Sequence, residues 1–199
     1  MIAIFDYGAG NLQSVQNTLA EIGTEYTLVR DAAGLEAAAT IILPGVGHFG
    51  QMMRALDALN VRETLIKRIQ AGVPFLGICL GMQALFETSE EAPEVRGLGI
   101  FPGAVRRFPE HARVPHMGWN QLDPRPGSRL LRNLPEHPFV YFAHSYYVPQ
   151  NERAAALCTY ELPYTAALES DAVCGVQFHP EKSGPTGLRI VQNFLEQAC

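Results

Sequence analysis

The stretch VPFLGICLGMQALF, residues 73–86, places a single thiol between two glycines, where a short apolar run meets a helical pattern. We predict a buried strand over Pro74–Ile78 and a helix beginning at Leu80 and running to Glu87. The segment GICLG (residues 77–81) has the form of a nucleophile elbow, with Cys79 where hydrolases often carry serine. A buried structural cysteine in a tight turn would give the same pattern, because free cysteine is commonly buried.

Strand and helix signals alternate through the first half of the chain. Apolar runs predict strands at Ile2–Phe5, Glu25–Arg30, Thr40–Leu43 and Pro74–Ile78. Helical patterns lie between them, at Met52–Leu59, at Val61–Ile69 and at a segment that Asn11 would cap and Gly23 would end. Continuous apolar strands separated by helices indicate a parallel sheet that is covered on both faces.

The second half is richer in strands joined by Pro, Gly and Asn turns. Strands are predicted at Gly103–Phe108, Met117–Leu122, Phe139–Val148, Ala154–Tyr160, Thr165–Glu169 and Val173–Phe178. A short helix is predicted near Ser128–Leu134 and a final amphipathic helix over Thr186–Ala198. We therefore predict one α/β domain over residues 1–199, a mixed sheet with a parallel core flanked by helices and an antiparallel elaboration in the second half.

Composition excludes several classes of function. A net charge of -5 argues against a nucleic-acid surface, which needs a dense basic patch. The N-terminus shows no signal-peptide pattern, and no apolar stretch reaches the roughly 18 residues of a membrane helix. The four cysteines, Cys79, Cys158, Cys174 and Cys199, form no CxxC pair, which predicts a reducing cytoplasm and no metal site, with Cys158 and Cys174 in the core.

A cofactor site is also not expected. The segment DYGAGNLQS (residues 6–14) resembles the start of a dinucleotide-binding fingerprint after the first strand. Gln13 occupies the position of the third glycine, and no strand-end acid follows at the required distance. We therefore predict no nucleotide cofactor at this loop.

A candidate base for the thiol lies in VCGVQFHPEKSG, residues 173–184. His179 and Glu181 are two residues apart, so in an extended segment their side chains leave on the same face. Glu181 could then accept a hydrogen bond from the imidazole and fix its tautomer. An isolated His-Pro-Glu sequence is more often a strand end with an exposed charge. Together with an elbow cysteine, it predicts a catalytic triad of Cys79, His179 and Glu181.

The glycine-rich segment ILPGVGHFG, residues 42–50, supplies candidates for an oxyanion hole. Backbone N–H groups of the Val46–Gly47 turn, with that of Leu80 just after the thiol, could face a developing oxyanion. An ordinary strand-ending turn would explain the glycines equally well. Since Gly45 and Gly47 make peptide rotation cheap, we expect this hole to be incomplete in the free subunit.

Together these residues resemble the triad-type, class I glutamine amidotransferases, and among them the glutaminase subunits of imidazole glycerol phosphate synthases. The resemblance covers essentially the whole chain and rests on DYGAGNLQSV (6–15), PGVGHFG (44–50), GICLGMQ (77–83), PHMGWN (115–120), YFAHSYY (141–147) and GVQFHPEKSG (175–184). It implies that Cys79 attacks the side-chain amide of L-glutamine, that His179 moves the protons, and that water releases glutamate from a glutamyl thioester. Gln83, Ser145 and Tyr146 match glutamine-holding positions.

The resemblance also implies a partner, a (β/α)8-barrel cyclase subunit that uses the ammonia in histidine biosynthesis. Its products would be imidazole glycerol phosphate and an aminoimidazole carboxamide ribotide. Candidate interface residues are Tyr7, Asn11, Trp119, Tyr141 and Lys182. A core position would explain Trp119 equally well, and Asn11 and Lys182 could be merely exposed.

Three alternatives remain open from the sequence. The chain could serve anthranilate, guanylate or pyridoxal phosphate synthesis, although such subunits should lack the DYGAGN and PHMGWN contexts. It could be a stand-alone cysteine hydrolase or peptidase that needs no second subunit. It could be a non-enzymatic α/β binding module, in which case Cys79→Ala would leave its function intact.

Overall fold

The computed structural model describes residues 1–9 and 11–197, and its strands lie close to most of the predicted ones. The strands are β1 (Ile2–Phe5), β2 (Tyr26–Val29), β3 (Thr40–Gly45), β4 (Phe75–Cys79), β5 (Phe86–Ser89), β6 (Phe101–Arg107), β7 (His116–Gln121), β8 (Asp123–Pro124), β9 (Phe139–His144), β10 (Tyr146–Pro149), β11 (Ala154–Tyr160), β12 (Leu162–Ser170) and β13 (Val173–Val176). The α-helices are α1 (Leu12–Ile22), α2 (Ala32–Ala37), α3 (Phe49–Ala58), α4 (Arg62–Gln70), α5 (Leu80–Gln83) and α6 (Gly184–Gln197), and a 3-10 turn covers Pro180–Lys182.

The main sheet has a parallel half and an antiparallel half. Strands β2, β1, β3, β4 and β13 lie side by side in that order, and each neighbouring pair is parallel. From β13 the sheet continues antiparallel through β12 and β10 to β6, and β5 closes the edge parallel to β6. Strand β11 also pairs with β12 and with β8. The predicted mixed α/β fold, with a parallel core and an antiparallel elaboration, is therefore confirmed.

Helices cover both faces of the parallel half. Successive residues of a strand point to opposite faces, so Phe5 and Leu43 join one apolar cluster while Ile4 and Ile42 join the other. The first cluster includes buried side chains of α3 and α4, and the second those of α1 and α6. This two-sided burial explains why the strands of the first half are continuously apolar in sequence. Cys158 and Cys174 are buried in strands, as expected.

A separate antiparallel ribbon consists of β7 and β9, and it pairs Trp119 with Tyr141. Its inner face is covered, since Val140 and Phe142 are fully buried and His116 and His144 are buried on the same face. Its outer face exposes three large apolar side chains, those of Met117, Trp119 and Phe139. The ribbon therefore presents an exposed apolar surface on its outer face.

The predicted helix over Leu80–Glu87 is wrong beyond Gln83. The carbonyls that would continue the helix are taken by a later segment, because Leu98 N–H donates to Ala84 O at 2.8 Å and Phe101 N–H to Leu85 O at 3.0 Å. The chain then enters β5 instead. Hydrogen bonds with residues more than ten positions away override the local helical pattern here.

Two other predictions in the second half need correction. The strand over Phe139–Val148 is broken at Ser145, so that β9 and β10 belong to different sheets. The helix near Ser128–Leu134 is absent, and turns stand in its place. The Glu169 carboxylate organises these turns, because it accepts hydrogen bonds from Ser128 Oγ and from the N–H groups of Arg129 and Leu130.

Helix boundaries agree with the sequence in most places. Gly23 ends α1 with a φ of 79°, as predicted, but the Asn11 side chain makes no capping hydrogen bond. Helix α2 was not predicted, although Asp31 caps it through a 2.8 Å hydrogen bond from Gly34 N–H. The predicted last helix ends at Ala198, and that residue, Gly10 and Cys199 lie outside the described residues. Among the helices described, none combines the length and apolar composition needed to cross a bilayer.

Candidate active site

Cys79 ends β4 and stands at the first turn of α5, in a backbone conformation that side chains rarely adopt. Its φ is 54° and its ψ is −109°, a strained combination for any residue other than glycine. The neighbouring glycines are required for space, because a Cβ on Gly77 would lie 2.5 Å from the Gly81 carbonyl oxygen, and one on Gly81 would overlap the Leu43 carbonyl. The predicted elbow geometry is therefore present.

His179 and Glu181 form a buried pair beside the thiol. His179 Nδ1 lies 2.8 Å from Glu181 Oε1, and the two side chains are 4% and 3% exposed. Because a carboxylate only accepts, Nδ1 carries the proton and the other ring nitrogen is left for Cys79. Burial alone would lower the pKa of His179, but hydrogen bonds with Cys79 and Glu181 outweigh it and raise the pKa to about 10. A protonated imidazole next to a cysteine sulfur stabilises the thiolate.

The backbone conformation between His179 and Glu181 differs from the extended segment that was predicted. His179 is extended, but Pro180–Lys182 forms a 3-10 turn, so the histidine and the glutamate do not share one face of a strand. Ser183 secures the turn, since its hydroxyl donates to the His179 carbonyl at 2.6 Å and accepts from Tyr141 N–H at 2.9 Å. The contact between the two side chains is present, although its local cause is the turn.

A pocket of about 280 Å³ opens over the thiol, a volume that suits a small metabolite. Cys79 and His179 line it together with every residue predicted for the oxyanion and for substrate, namely Val46, Gly47, Leu80, Gln83, Ser145 and Tyr146. The fold thus brings together residues that are scattered over 134 positions of sequence, from Val46 to His179 counted inclusively (179 − 46 + 1 = 134).

The Val46–Gly47 turn does not present both of its N–H groups to the pocket. Val46 N–H donates to the Tyr7 hydroxyl oxygen at 3.2 Å, and the Val46 carbonyl lies 3.3 Å from the same oxygen. Burial raises the pKa of Tyr7 to about 12, so the hydroxyl keeps its proton and can serve the carbonyl. In this conformation the Tyr7 hydroxyl binds the Val46 N–H group, which was predicted to face the oxyanion in the pocket.

The family of the chain follows from comparison with known proteins. A family model described as glutamine amidotransferase class-I matches residues 3–198. The chain belongs to this family. The amidotransferase is 50% identical over 197 residues to the imidazole glycerol phosphate synthase subunit HisH of Methanothermobacter thermautotrophicus, with 98% of each chain covered.

Other relatives and solved structures agree with this assignment. Subunits of the same name from Desulfitobacterium hafniense and Xylella fastidiosa are 47% and 49% identical, each over 98% of the amidotransferase and 93% and 96% of their own length. A crystal structure of a glutamine amidotransferase superposes with a TM-score of 0.79 at 20% identity, covering 99% and 98% of the two chains. PurLQS from Thermotoga maritima gives 0.75 at 20% identity, covering 98% and 97%. At these identities the structures show the fold alone.

The predicted interface residues of the amidotransferase divide into two groups. Trp119 is 56% exposed, which rules out a core position, and its ring lies 6.1 Å from that of Tyr141. Lys182 Nζ lies 5.8 Å from the Tyr141 ring centre and also lines the pocket. Tyr7, in contrast, is only 8% exposed, so it offers little area to a partner and instead contacts the oxyanion turn. Asn11 is half-buried at the start of α1.

Glu91 is a pocket residue that sequence reasoning missed. Its Oε2 accepts a 2.7 Å hydrogen bond from Phe49 N–H at the start of α3, and it lines the same pocket as Cys79. It is the one carboxylate among the described residues that line the pocket. In the sequence it stands in a Glu-Glu pair that reads as an exposed loop, so no local signal distinguishes it.

Two buried histidines were also missed. His144 lines the pocket, and its Nδ1 lies 2.8 Å from the Tyr146 carbonyl, while its Nε2 lies 3.3 Å from Nδ1 of His116. Burial lowers the pKa of His144 to about 3 and that of His116 to about 4, so both rings are neutral at physiological pH. Their contact depends on the pairing of β7 with β9, which the sequence does not reveal.

The groups that line the site are those of a covalent acyl-transfer centre. Within residues 1–9 and 11–197, His, Cys, Asp and Glu side chains nowhere form a group of three that could hold a metal ion. The site combines a nucleophile, a base held by a carboxylate, and a pocket with polar walls. This set is the one used for acyl transfer through a covalent intermediate.

Proposed function

We propose that this chain is the glutaminase subunit of imidazole glycerol phosphate synthase and that it hydrolyses L-glutamine to glutamate and ammonia. The observation that carries the proposal is a buried Cys79–His179–Glu181 arrangement in a chain that shares about half its residues with subunits of that name over 98% of its length. Residues 1–199 form one catalytic domain of this type.

The reaction proceeds by two acyl transfers. Cys79 Sγ attacks the side-chain amide carbon of glutamine, and the carbonyl electrons move onto the oxygen. His179 donates its proton to the amide nitrogen as the C–N bond breaks, which releases ammonia and leaves a glutamyl thioester. Water then attacks the thioester as His179 takes its proton, and glutamate leaves as the thiolate returns. Glu181 keeps the imidazole oriented through its hydrogen bond to Nδ1.

The oxyanion of each tetrahedral intermediate is stabilised by backbone N–H groups. Leu80 supplies one from the start of α5, where the helix dipole is also favourable. The Val46–Gly47 turn supplies the other after it leaves the Tyr7 hydroxyl. Gly47 lies at a φ of 93°, in a region that glycine adopts readily, and its lack of a side chain lowers the cost of rotating the adjoining peptides.

The pocket walls recognise the amino-acid end of glutamine. Glu91 has the charge to pair with the α-ammonium group, while Ser145 and Tyr146 contribute backbone and hydroxyl groups to the lining of the same pocket. Gln83 donates both of its amide hydrogens within the protein, to Tyr146 O and Gln177 Oε1, so its own carbonyl oxygen faces the ligand as an acceptor.

The ammonia is delivered to a cyclase subunit that adopts a (β/α)8 barrel. Ammonia released into bulk water at neutral pH is mostly protonated and no longer a nucleophile, so a docked acceptor is required. We assign the docking surface to Trp119, Tyr141 and Lys182, which contact one another and of which Lys182 lines the pocket. Asn11 is the remaining candidate for this surface. The heterodimer works in the cytoplasm and makes imidazole glycerol phosphate and an aminoimidazole carboxamide ribotide for histidine biosynthesis.

The first experiment measures ammonia and glutamate release from glutamine by the wild type and by Cys79→Ala. Each protein is assayed alone and with the cyclase subunit and its nucleotide ligand. We expect turnover chiefly in the liganded complex and its loss, by at least about a thousandfold, in Cys79→Ala. Cys158→Ala is the matched control, because it removes a buried thiol that does not line the pocket.

Two results would overturn the proposal. If Cys79→Ala were as active as the wild type, Cys79 would be structural. If the wild type released no ammonia with this cyclase but did so with the synthase subunit of another pathway, the partner would be wrong.

A further inference from the structure

A buried glutamine contacts the sulfur of Cys79 directly, and nothing in the reaction described above uses it. Gln177 is fully buried and follows β13 two residues before His179. Its Nε2 donates a hydrogen bond to Cys79 Sγ at 3.6 Å, an ordinary distance for a bond to sulfur. The thiol therefore has two polar neighbours, the imidazole of His179 and the amide of Gln177.

The hydrogen bonds of Gln83 determine which way the Gln177 amide faces. Gln83 Nε2 carries two hydrogens and lies 2.9 Å from both the Tyr146 carbonyl oxygen and Gln177 Oε1. Reversing the Gln177 amide would place its NH₂ group against the NH₂ group of Gln83, with no acceptor between them. The oxygen of Gln177 thus faces Gln83, and its nitrogen faces the sulfur.

The rest of the surroundings hold this orientation. The Tyr146 carbonyl also accepts from His144, whose ring is neutral and therefore has one N–H to donate at Nδ1. The main chain of Gln177 is tied to β12 by a 2.8 Å bond from its N–H to Ala166 O. Every polar group in this chain of contacts has a single consistent assignment of donor and acceptor.

We propose that Gln177 is a catalytic residue that donates a hydrogen bond from Nε2 to the Cys79 sulfur and stabilises it as the thiolate. The inference rests on the proposed role of Cys79 as the nucleophile. A hydrogen bond to an ionised acceptor is stronger than one to a neutral acceptor, so the contact strengthens when the proton moves to His179. The same hydrogen bond lowers the basicity of the sulfur and therefore the intrinsic nucleophilicity of the thiolate. This loss is smaller than the increase in the fraction of Cys79 that is thiolate, so the reactivity of the residue rises.

Two substitutions remove the donor in different ways. Gln177→Met keeps a similar length and volume without any amide group. Gln177→Glu keeps the oxygen that accepts from Gln83 but replaces the N–H donor with a second oxygen. Asn193→Leu is the matched control, because Asn193 is also a fully buried amide, and its Nδ2 donates to the Leu130 and Arg132 carbonyls away from the site.

The test measures the rate at which iodoacetamide alkylates Cys79 as a function of pH, read by mass spectrometry on the peptide that contains it. Reading that peptide alone keeps Cys158, Cys174 and Cys199 out of the result. We expect both Gln177 variants to shift the profile to higher pH by about one unit and to react about tenfold more slowly at pH 6. Asn193→Leu should follow the wild type even where it lowers the melting temperature.

Glutaminase assays with the cyclase complete the test. We expect kcat of both Gln177 variants to fall about tenfold, with little change in KM for Gln177→Glu, because that variant keeps the oxygen that accepts from Gln83 and loses only the contact to the nucleophile. Alkylation profiles of both variants that coincide with those of the wild type and Asn193→Leu would overturn the proposal and leave Gln177 as a packing residue. A wild type that releases no ammonia would instead sink the proposed function, while the alkylation profiles would still decide the contact to sulfur.

Discussion

At the scale of single residues, the site depends on a few hydrogen bonds between buried polar side chains. Cys79, His179 and Gln177 are each less than a tenth exposed, so their hydrogen bonds are shielded from water. Such contacts have large effects on protonation, because a low-dielectric surrounding strengthens each of them. The chemistry of this site is therefore set by its immediate neighbours.

The protonation of His179 links the site to the stability of the fold. Its pKa of about 10 lies above the ordinary 6.5, so the charged form stabilises the folded chain. This contribution is complete below about pH 6.5 and is lost as the pH rises through about 10. We expect Glu181→Gln to lower the pKa of His179, measured by ¹⁵N NMR of the ring, and to reduce kcat by about a hundredfold or more.

A second carboxylate provides the control for this prediction. Glu169 is 11% exposed and accepts from Arg129 and Ser128, away from the pocket. Glu169→Gln should lower the melting temperature while leaving the His179 titration unchanged. If Glu181→Gln also left that titration in place, the carboxylate would not be the group that holds the proton on the ring.

The sequence was enough to predict the side chains that meet at Cys79 and most of the residues that line the pocket, but not Glu91, His144 or Gln177. Cys79 and His179 carry local patterns, an elbow between glycines and a His-Pro-Glu segment at a strand end. Glu91, His144 and Gln177 carry none, because each acquires its neighbours through contacts with residues more than 20 positions away. Long-range pairing, rather than residue type, gives them their place in the site.

At the scale of elements, the turn between β3 and α3 is the part of the site whose geometry must change. The Tyr7 hydroxyl accepts a hydrogen bond from the Val46 N–H and donates one to the Val46 carbonyl, and Gly47 follows immediately. Loss of the hydroxyl would free the peptide without disturbing the buried ring. Under the proposed function, we expect the turn to be the element through which the partner controls the rate.

Tyr7→Phe tests this idea. We expect the free subunit to hydrolyse glutamine about threefold to tenfold faster, since removing hydrogen bonds of ordinary strength lowers the cost of turning the peptide. The extra activation by the cyclase and its ligand should shrink by the same factor. Tyr160→Phe is the control, because its hydroxyl donates to Arg113 O outside the pocket. Equal basal rates for wild type and Tyr7→Phe would remove Tyr7 from the control of the turn.

Elements were predicted well where the pattern is local and poorly where distant hydrogen bonds decide. The alternation of apolar strands and helices gave the parallel half, including the end of α1 at Gly23. The helix after Leu80 failed, because residues 97–101 take the carbonyls of Ala84 and Leu85. The strand over Phe139–Val148 failed for a related reason, since its two halves pair with different strands.

At the scale of the whole molecule, the apolar outer face of the β7–β9 ribbon is the surface that we propose for the partner. Met117, Trp119 and Phe139 are each more than half exposed on adjacent strands, an arrangement that monomeric proteins rarely leave bare. Aromatic residues of this kind are enriched at the centres of interfaces. Tyr141 of this ribbon lies next to Lys182, which lines the pocket, so a partner bound to this face would lie close to the pocket.

We expect Trp119→Ala to weaken the complex with the cyclase about tenfold to a hundredfold, measured by isothermal titration calorimetry. The melting temperature and the alkylation of Cys79 should stay as in the wild type, since the side chain is exposed. Leu28→Ala is the control, because Leu28 is also exposed but lies on β2 at the far edge of the sheet. An unchanged dissociation constant would place the docking surface elsewhere.

The order of strands in the sheet has a consequence for synthesis of the chain. The nucleophile leaves the ribosome 100 residues before its base, counted from Cys79 to His179 (179 − 79 = 100). The base can reach it only after β13 has been added beside β4, because β13 carries His179 into place. If Cys79 and His179 act as proposed, a chain that lacks β13 holds the thiol without its proton acceptor, and we expect it not to hydrolyse glutamine. On this proposal, the pairing of β13 with β4 is the step that completes the triad.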